Sequence, residues 1–491
     1  MKVATYCIEG ISGGKKYMVL DIVEVSQKQA YIFSSNKLKD NIERSTQIAW
    51  VTSSAFFEKH CGGAYIKKEN LVYSGGGHTV LCFSDEDSAK EFNKKLTKTI
   101  LQSYPEMEMF VKLCPYDNAK TPSANLKELT KALEKKKSVR RASFRHGTFG
   151  FEKIDSTSLE PVRAKTTSVE KDDIAALEEE IEKDLLPDGN KNVKRFEDLG
   201  GTKGSTNFIA IVHIDGNGMG SRVNELYKRL ESENLSWDQF REKVKAFSDA
   251  IDSDYKAAYK EMIEEIVSSD AVKTLSLDEK YLPVRRIISS GDDICFVAEG
   301  RIGIEAARIY IDKLSSKTNE IDGKKYTACA GVAIVHVKYP FFMAYELAES
   351  LCNNAKRLGA TISPDDNGSS VSSIDWHLAY GELKDSLEEE REGYRSIEGN
   401  NLCARPYIIK GAGNDGGNRT YCEFKDALRK VINADDSASR SKIKTLRNVL
   451  KQTEEEIRYY TDFYHLDRLM EIDKAVLFDA IETMDTFISL S

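Results

Sequence analysis

Two apolar hairpins with matching tight turns constrain this chain more than any other feature. One turn reads Ser74-Gly75-Gly76-Gly77, between Leu71-Val72-Tyr73 and Thr79-Val80-Leu81-Cys82-Phe83. The other reads Ser290-Gly291-Asp292-Asp293, between Arg286-Ile287-Ile288 and Ile294-Cys295-Phe296-Val297. Glycine and aspartate favour tight turns for backbone reasons of their own, so a Gly-Asp-Asp turn alone is weak evidence of function. Its setting is stronger evidence, because two adjacent carboxylates at the tip of an otherwise apolar hairpin look like a metal site. The first turn lacks both carboxylates, so a hairpin of this shape can be built without them. Folding alone therefore does not account for the acids.

The hairpins sit inside a longer repeat. The first copy reads as a strand at 17–23, a helical stretch at 28–59, a strand at 65–73, the glycine turn, a strand at 79–83, a helix at 86–103 and a strand at 108–113. The second copy reads as a strand at 208–214, a helix at 238–268, a strand at 284–289, the acidic turn, a strand at 294–298, a helix at 302–316 and a strand at 326–337. Side by side, Leu20-Asp21-Ile22 falls against Ile214-Asp215-Gly216, and 86–96 falls against 301–314 as an amphipathic helix. A duplicated βαββαβ order predicts an α+β protein of tandem ferredoxin-like palm domains, the layout of nucleotide polymerases and cyclases.

At 491 residues the chain suggests about three domains of roughly 150 residues each. The expected segments are a degenerate first palm at 1-150, a helical linker without zinc ligands at 151-205, a catalytic second palm at 206-410 and a helical C-terminal domain at 411-491. The last rests on helical periodicity such as Leu446, Leu450, Ile457 and Tyr460. Loops are expected at 186–190, 388–401 and 411–418, a helix at 341–358 and an extended segment at 372–380.

Composition excludes several classes. A net charge of −8 argues against a protein that coats nucleic acid broadly. The basic stretch 131–145, with Lys135-Lys136-Lys137 and Arg140-Arg141, is the local exception, and a solvated helix face is its plain alternative. Nine cysteines, with no C-x-x-C pair and none between Cys114 and Cys295, indicate neither a disulfide framework nor a zinc site. Residues 1–23 lack the features of a secretory signal, and no run approaches a membrane span, so a reducing cytoplasm is expected.

The second palm carries the chemistry. Nucleotidyl transfer uses two divalent cations, one to activate the attacking hydroxyl and both to neutralise charge on the phosphate and leaving group, and this requires clustered carboxylates. Asp215 ends the first strand of that palm, and Asp292 and Asp293 occupy the turn between the next two, so the three can meet at one sheet edge. An all-oxygen site suits Mg²⁺ or Mn²⁺. The loop Gly216-Asn217-Gly218-Met219-Gly220 runs into a helix whose free N–H groups and dipole can hold a triphosphate. Ser290 and Gly291 of the turn, Lys356 and Arg405 are further nucleotide-contact candidates. A surface lysine is the alternative for Lys356, and a strand start for Arg405-Pro406-Tyr407. His213 is expected to face away from the acids in a structural role.

These residues resemble the large, polymerase-like subunit of type III CRISPR effector complexes, which makes cyclic oligoadenylates from ATP. In that family a palm with a glycine-only turn precedes a palm with a Gly-Gly-Asp-Asp hairpin. Here the first palm is similar in 21–33 and 74–77, and the second in Ile214-Asp215-Gly216-Asn217-Gly218-Met219-Gly220 and 290–293. Ser373-Ile374-Asp375-Trp376-His377 and Arg405-Pro406-Tyr407 also look familial. The resemblance implies that Asp215, with Ile214 beside it, Asp292 and Asp293 carry two metal ions. It also implies that Ser74, Gly75, Gly76 and Gly77 bind an acceptor nucleotide without doing chemistry. Three departures stand out: no His-Asp dipeptide marks the nuclease domain many members carry, inter-palm cysteines for zinc are missing, and Ser290 replaces the first hairpin glycine.

The leading expectation is an enzyme that joins nucleoside triphosphates, ATP favoured, by 3′-hydroxyl attack on an α-phosphate, giving a cyclic oligonucleotide signal in antiviral defence. The alternatives are a non-catalytic scaffold that binds RNA or effector subunits, and a GGDEF-like cyclic dinucleotide synthase. The last ordinarily needs two chains, which tandem palms make unnecessary.

Overall fold

The computed structural model describes residues 18–139, 170–187, 189–199, 207–233, 235–275, 281–362, 370–379, 386–410, 419–434 and 439–490. Tyr17, Val169, Asp188, Tyr380, the 140–145 end of the basic stretch and the loop 411–418 lie outside the described residues. The chain divides into two compact units, Met1–Tyr31, Thr46–Ile174 and Val223–Ser248 in one, and Ile32–Ser45, Ala175–Arg222 and Asp249–Ser491 in the other. The segments expected at 1-150, 151-205 and 206-410 run across these units, and 411-491 shares a unit with most of the second palm.

The first unit holds a four-stranded sheet of β1 (Val19–Val25), β2 (Leu71–Gly75), β3 (His78–Phe83) and β4 (Met109–Pro115) in the order β2-β3-β1-β4, all antiparallel. The helix Glu86–Ser103 starts where the Asp85 side chain accepts from Ser88 N, and it buries Ala89, Phe92, Asn93, Leu96 and Ile100. That three-four spacing is one helical face, turned onto the sheet. The helical stretch expected at 28–59 is three helices, Lys28–Ile32, Leu38–Val51 and Ser54–Cys61. Ser53 caps the last of them by accepting from Phe56 N, the start signal that a continuous periodicity conceals. The strand expected at 65–73 begins only at Leu71, after a helical turn Lys67–Asn70.

The second unit holds β5 (Phe208–Gly216), β6 (Val284–Ser290), β7 (Asp293–Glu299), β8 (Ala328–His336), β9 (Ser372–Ala379) and β10 (Tyr407–Lys410) in the order β10-β9-β8-β5-β7-β6. Its β6-β7-β5-β8 portion repeats the order of the first sheet. Strand β5 is central and buried along nearly its whole length, which explains its unbroken apolar run. Strands β8 and β9 are parallel, and the helix Phe341–Thr361 makes the crossover that a parallel pair requires.

Register corrects the internal alignment. In the second sheet Asp215 pairs with Asp293, Ser290 pairs with Asp293 across a two-residue turn, and Gly216 N donates to Asp292 O at 3.2 Å. In the first sheet Glu24 pairs with His78, Gly75 pairs with His78, and Val25 N donates to Gly77 O at 3.0 Å. Both hairpins also carry a bulge three residues before the turn, at Val72 and at Ile287. Glu24, Gly77 and His78 therefore stand in the places of Asp215, Asp292 and Asp293. The expected match of Asp21 to Asp215 is three residues out of step, and the two turns align one residue later than their serines suggest.

Asp21 has a different role. It is fully buried, its Oδ2 accepts from Asn93 Nδ2 at 2.9 Å, and burial pushes its carboxyl up to about 8. Its Oδ1 and Asn93 Oδ1 have no partner among the described residues, which suits a protonated acid donating to the amide oxygen. The folded chain thus holds this proton more tightly than the unfolded chain, whose value is 3.8, and stability falls as pH rises from about 4 to about 8. Asp21→Asn removes that titration. Its melting temperature is expected above wild type at pH 8.5, with the gain vanishing below pH 4, and identical melting curves at both values would refute the assignment.

Of the C-terminal helices, Tyr421–Asn433 packs on the sheet. Phe424, from the helix Tyr421–Asn433, lies 4.6 Å from the Trp376 ring of β9 and 5.5 Å from Tyr407 of β10. No described helix is long and apolar enough to cross a membrane.

Candidate active site

Strand pairing alone brings the three acids together. Asp215 and Asp293 are direct partners across β5 and β7, so their side chains share one face at a Cα spacing of about 4.5–5.5 Å. Asp292 occupies the second turn position after Gly291, whose φ of +64° only glycine adopts without strain. Gly216 is the tight point of the edge: a Cβ there would lie 2.3 Å from the Tyr255 hydroxyl and 3.0 Å from Asp292 Cβ.

The electrostatics are those of crowded like charge. Burial, followed by the charges of Asp215 and Asp293, pushes the Asp292 carboxyl up to about 6, and Lys356 partly offsets this. The Lys356 ammonium donates to Asp215 Oδ2. Although burial opposes its charge, that contact holds the Lys356 pKa above the usual lysine value. The helix carrying it is fixed by Cys352 Sγ donating to Cys329 O at 3.2 Å, Ser373 Oγ donating to Ala355 O at 2.9 Å and Asn354 Nδ2 donating to Asp375 Oδ2 at 2.7 Å.

Three residues near the acids were given no part in the site by the sequence. His213 lies two residues before Asp215 and so faces the same side, contrary to expectation. Its Nδ1 is 3.5 Å from Asp293 Oδ1, and burial lowers its pKa. Glu349 lies seven residues, or two helical turns, before Lys356, and its carboxyl is raised first by burial and also by the charges of Asp293 and Asp215. Tyr255 comes from the long helix Trp237–Ser268, and no sequence pattern ties it to the turn. Alternation and helical spacing could have identified the first two.

The loop after Asp215 is only partly available to a ligand. Asn217 is committed to the sheet edge, with its N–H on Thr327 O at 2.8 Å and its Nδ2 on Val371 O at 3.0 Å. Gly218 and Gly220 face open space at the start of the helix Met219–Ser232. Helix geometry leaves the N–H groups at 218–221 without an intrahelical partner. Arg222 anchors that helix through a bidentate pair with Asp322 at 2.7 and 2.8 Å, while stacked 4.6 Å over Tyr326.

Two expected contacts are corrected. Arg405 is enclosed in the core, paired with Asp479 at 3.2 Å and Glu482 at 2.7 Å and donating to Trp376 O at 2.8 Å, so two buried carboxylates already meet its charge and it is closed off from a phosphate. Ile214 has a fully buried side chain between Ile294 and Ala330. The Gly216 to Asp292 bond and the alternation of the antiparallel ladder give the Ile214 carbonyl a partner in Ile294, so Ile214 offers no side-chain ligand and its carbonyl already accepts one ladder bond.

In the first palm, the Ser74 hydroxyl is engaged with Thr52 O at 3.2 Å and Thr79 Oγ1 at 2.9 Å. A Cβ at Gly77 would sit 2.8 Å from Lys28 Cδ, and one at Gly75 3.3 Å from Ser248 Oγ. The Lys28 ammonium donates to Gly76 O, and Lys137 pairs with Glu24 at 2.8 Å. Lysines of the chain balance this site.

Divalent cations fit the second palm by donor chemistry: three carboxylates at one edge, one of them raised by burial and by its neighbours' charge, and an ammonium already drawn to another. As the side chains stand, no three His, Cys, Asp or Glu among the described residues are gathered around one point. Asp215 is turned to Lys356 and Asp293 toward His213.

Residues 208–361 match the family described as Cas10/Cmr2, second palm domain. No curated protein matches the chain in sequence. Among solved structures, a Csm1-Csm4 cassette in complex with pppApApA aligns at a TM-score of 0.57 and 13% identity, covering 97% of this chain and 70% of that chain. The cassette in complex with cA4 aligns at 0.56 and 11%, covering 95% and 69%. Csm1 of T. onnurineus aligns at 0.54 and 14%, covering 96% and 70%. At such identities these likenesses establish the fold.

Proposed function

We propose that this Cas10-like chain is a nucleotidyltransferase that converts nucleoside triphosphates, ATP first among them, into a cyclic oligonucleotide in type III CRISPR or CRISPR-like defence. The convergence of Asp215, Asp292 and Asp293 on one edge of a Cas10/Cmr2-type palm, with Lys356 beside them, carries the reading. The three acids would hold two Mg²⁺ or Mn²⁺ ions, whose chemistry when bound is activation of an attacking 3′-hydroxyl and neutralisation of phosphate charge. Lys356 exchanges Asp215 for a triphosphate oxygen, and the N–H groups at 218–221 bind another. Asn217 keeps the loop against the sheet, so the phosphate cradle is backbone. Glu24, His78 and the lysines around them make the first palm a non-catalytic acceptor side at 74–77, where Lys28 and Lys137 supply charge for an anionic nucleotide.

The complexes of Csm1-Csm4 with pppApApA and cA4 support an adenylate product and effector-subunit partners for this chain. A cytoplasmic setting follows from that role. The test is incubation of the pure protein with each labelled triphosphate and Mg²⁺ or Mn²⁺, with and without RNA. Pyrophosphate and a phosphatase-resistant product are expected with ATP, whereas no pyrophosphate under any condition would leave the scaffold reading in its place.

A further inference from the structure

The least explained polar group near the acidic turn is the Tyr255 hydroxyl. Tyr255 is 1% exposed, and its hydroxyl has no hydrogen-bond partner among the described residues. Its ring stands edge-on to Tyr326 at 5.5 Å and 87°, and its backbone carbonyl accepts from Tyr310 Oη at 3.4 Å, so the phenol is held in one direction. That direction is toward the turn: the hydroxyl and Asp292 Cβ lie 2.3 and 3.0 Å from the point where a Gly216 side chain would begin. Asp292 is also the strongest charge acting on the phenol. An unpaired buried hydroxyl is costly, and phenylalanine would fill the same space without it.

We propose that Tyr255 is a positioning residue for the acidic turn: when a cation fills the site, the Asp292 carboxylate accepts from this unpaired hydroxyl, which fixes the rotamer in which Asp292 ligates. This rests on the reading of those acids as a cation site. Groups that orient a ligating carboxylate typically change metal affinity by about 10–100-fold when removed. With its aromatic neighbours retained, Tyr255→Phe should keep the fold.

The experiment is direct Mn²⁺ binding to the full chain, by electron paramagnetic resonance of free Mn²⁺, for wild type, Tyr255→Phe, Asp292→Ala and the double variant. Thermal melting without metal is measured alongside. Tyr255→Phe is expected to weaken Mn²⁺ binding about 10–100-fold with no loss of melting temperature, and to add nothing in the Asp292→Ala background. Wild-type affinity in Tyr255→Phe would overturn the positioning role while leaving the acids as the cation site. Wild type and Asp292→Ala both failing to bind Mn²⁺ would overturn the site itself and the proposal with it. An equal loss from Tyr255→Phe in both backgrounds would also refute it, because the hydroxyl would then act elsewhere than on Asp292.

Discussion

Replacing Asp292 and Asp293 together by alanine is expected to abolish product formation, by roughly a thousandfold or more, while leaving the folded chain at least as stable as wild type at pH 7. Both outcomes follow from one set of positions. Register and turn bring the two carboxylates against Asp215, and the resulting crowding and burial raise Asp292 from 3.8 to about 6. The folded state therefore holds the Asp292 proton more tightly than the unfolded state, stability falls as pH rises from about 4 to about 6, and the penalty is complete above that. Alanine removes it. Denaturant melts at pH 7 and pH 4 should show the variant's advantage at the higher value only. A variant that loses activity by unfolding, or one that keeps making product, would remove these acids from the chemistry.

The second large effect is on stability and lies away from the acids. Arg405→Ala is expected to cost about 3–5 kcal/mol, because it leaves Asp479 and Glu482 buried without their cation. Burial already pushes Asp479 up to about 6, with Arg405 as the largest opposing influence. Arg405 also stacks 5.4 Å over Trp376 and 5.5 Å over Tyr394, so a lysine restores charge but not the planar contacts. Thermal melting of Arg405→Ala and Arg405→Lys measures this. If Arg405→Ala instead melted like wild type and weakened nucleotide binding alone, the residue would be the phosphate contact that its place in the sequence suggested.

Arg405 shows where local reading stops. An Arg-Pro-Tyr run is equally compatible with a phosphate clamp and with a core ion pair, and the deciding partners, Asp479 and Glu482, are more than 70 residues away in the chain. Lys356 posed the same ambiguity, and the crossover helix Phe341–Thr361 turns it toward Asp215. His213 was misassigned for a simpler reason, since strand alternation places it on the face of Asp215. Ile214 could be judged only once the ladder bonds of β5 were known.

The sequence by itself determined the duplicated α+β architecture and the order of elements along each palm, and it put Asp215 at a strand end and Asp292 and Asp293 in a hairpin turn, because periodicity and turn chemistry are local. Tertiary structure alone decided which residues answer one another between the palms. Asp21 is the nearest acid in sequence pattern, yet Glu24 is the residue paired at the turn, because register is set by the bulge and the closing pair of each hairpin. Tertiary structure also brought Tyr255 to the acids and gave Lys356 its partner Asp215, since long-range packing of separate helices leaves no mark at fixed spacing in the chain.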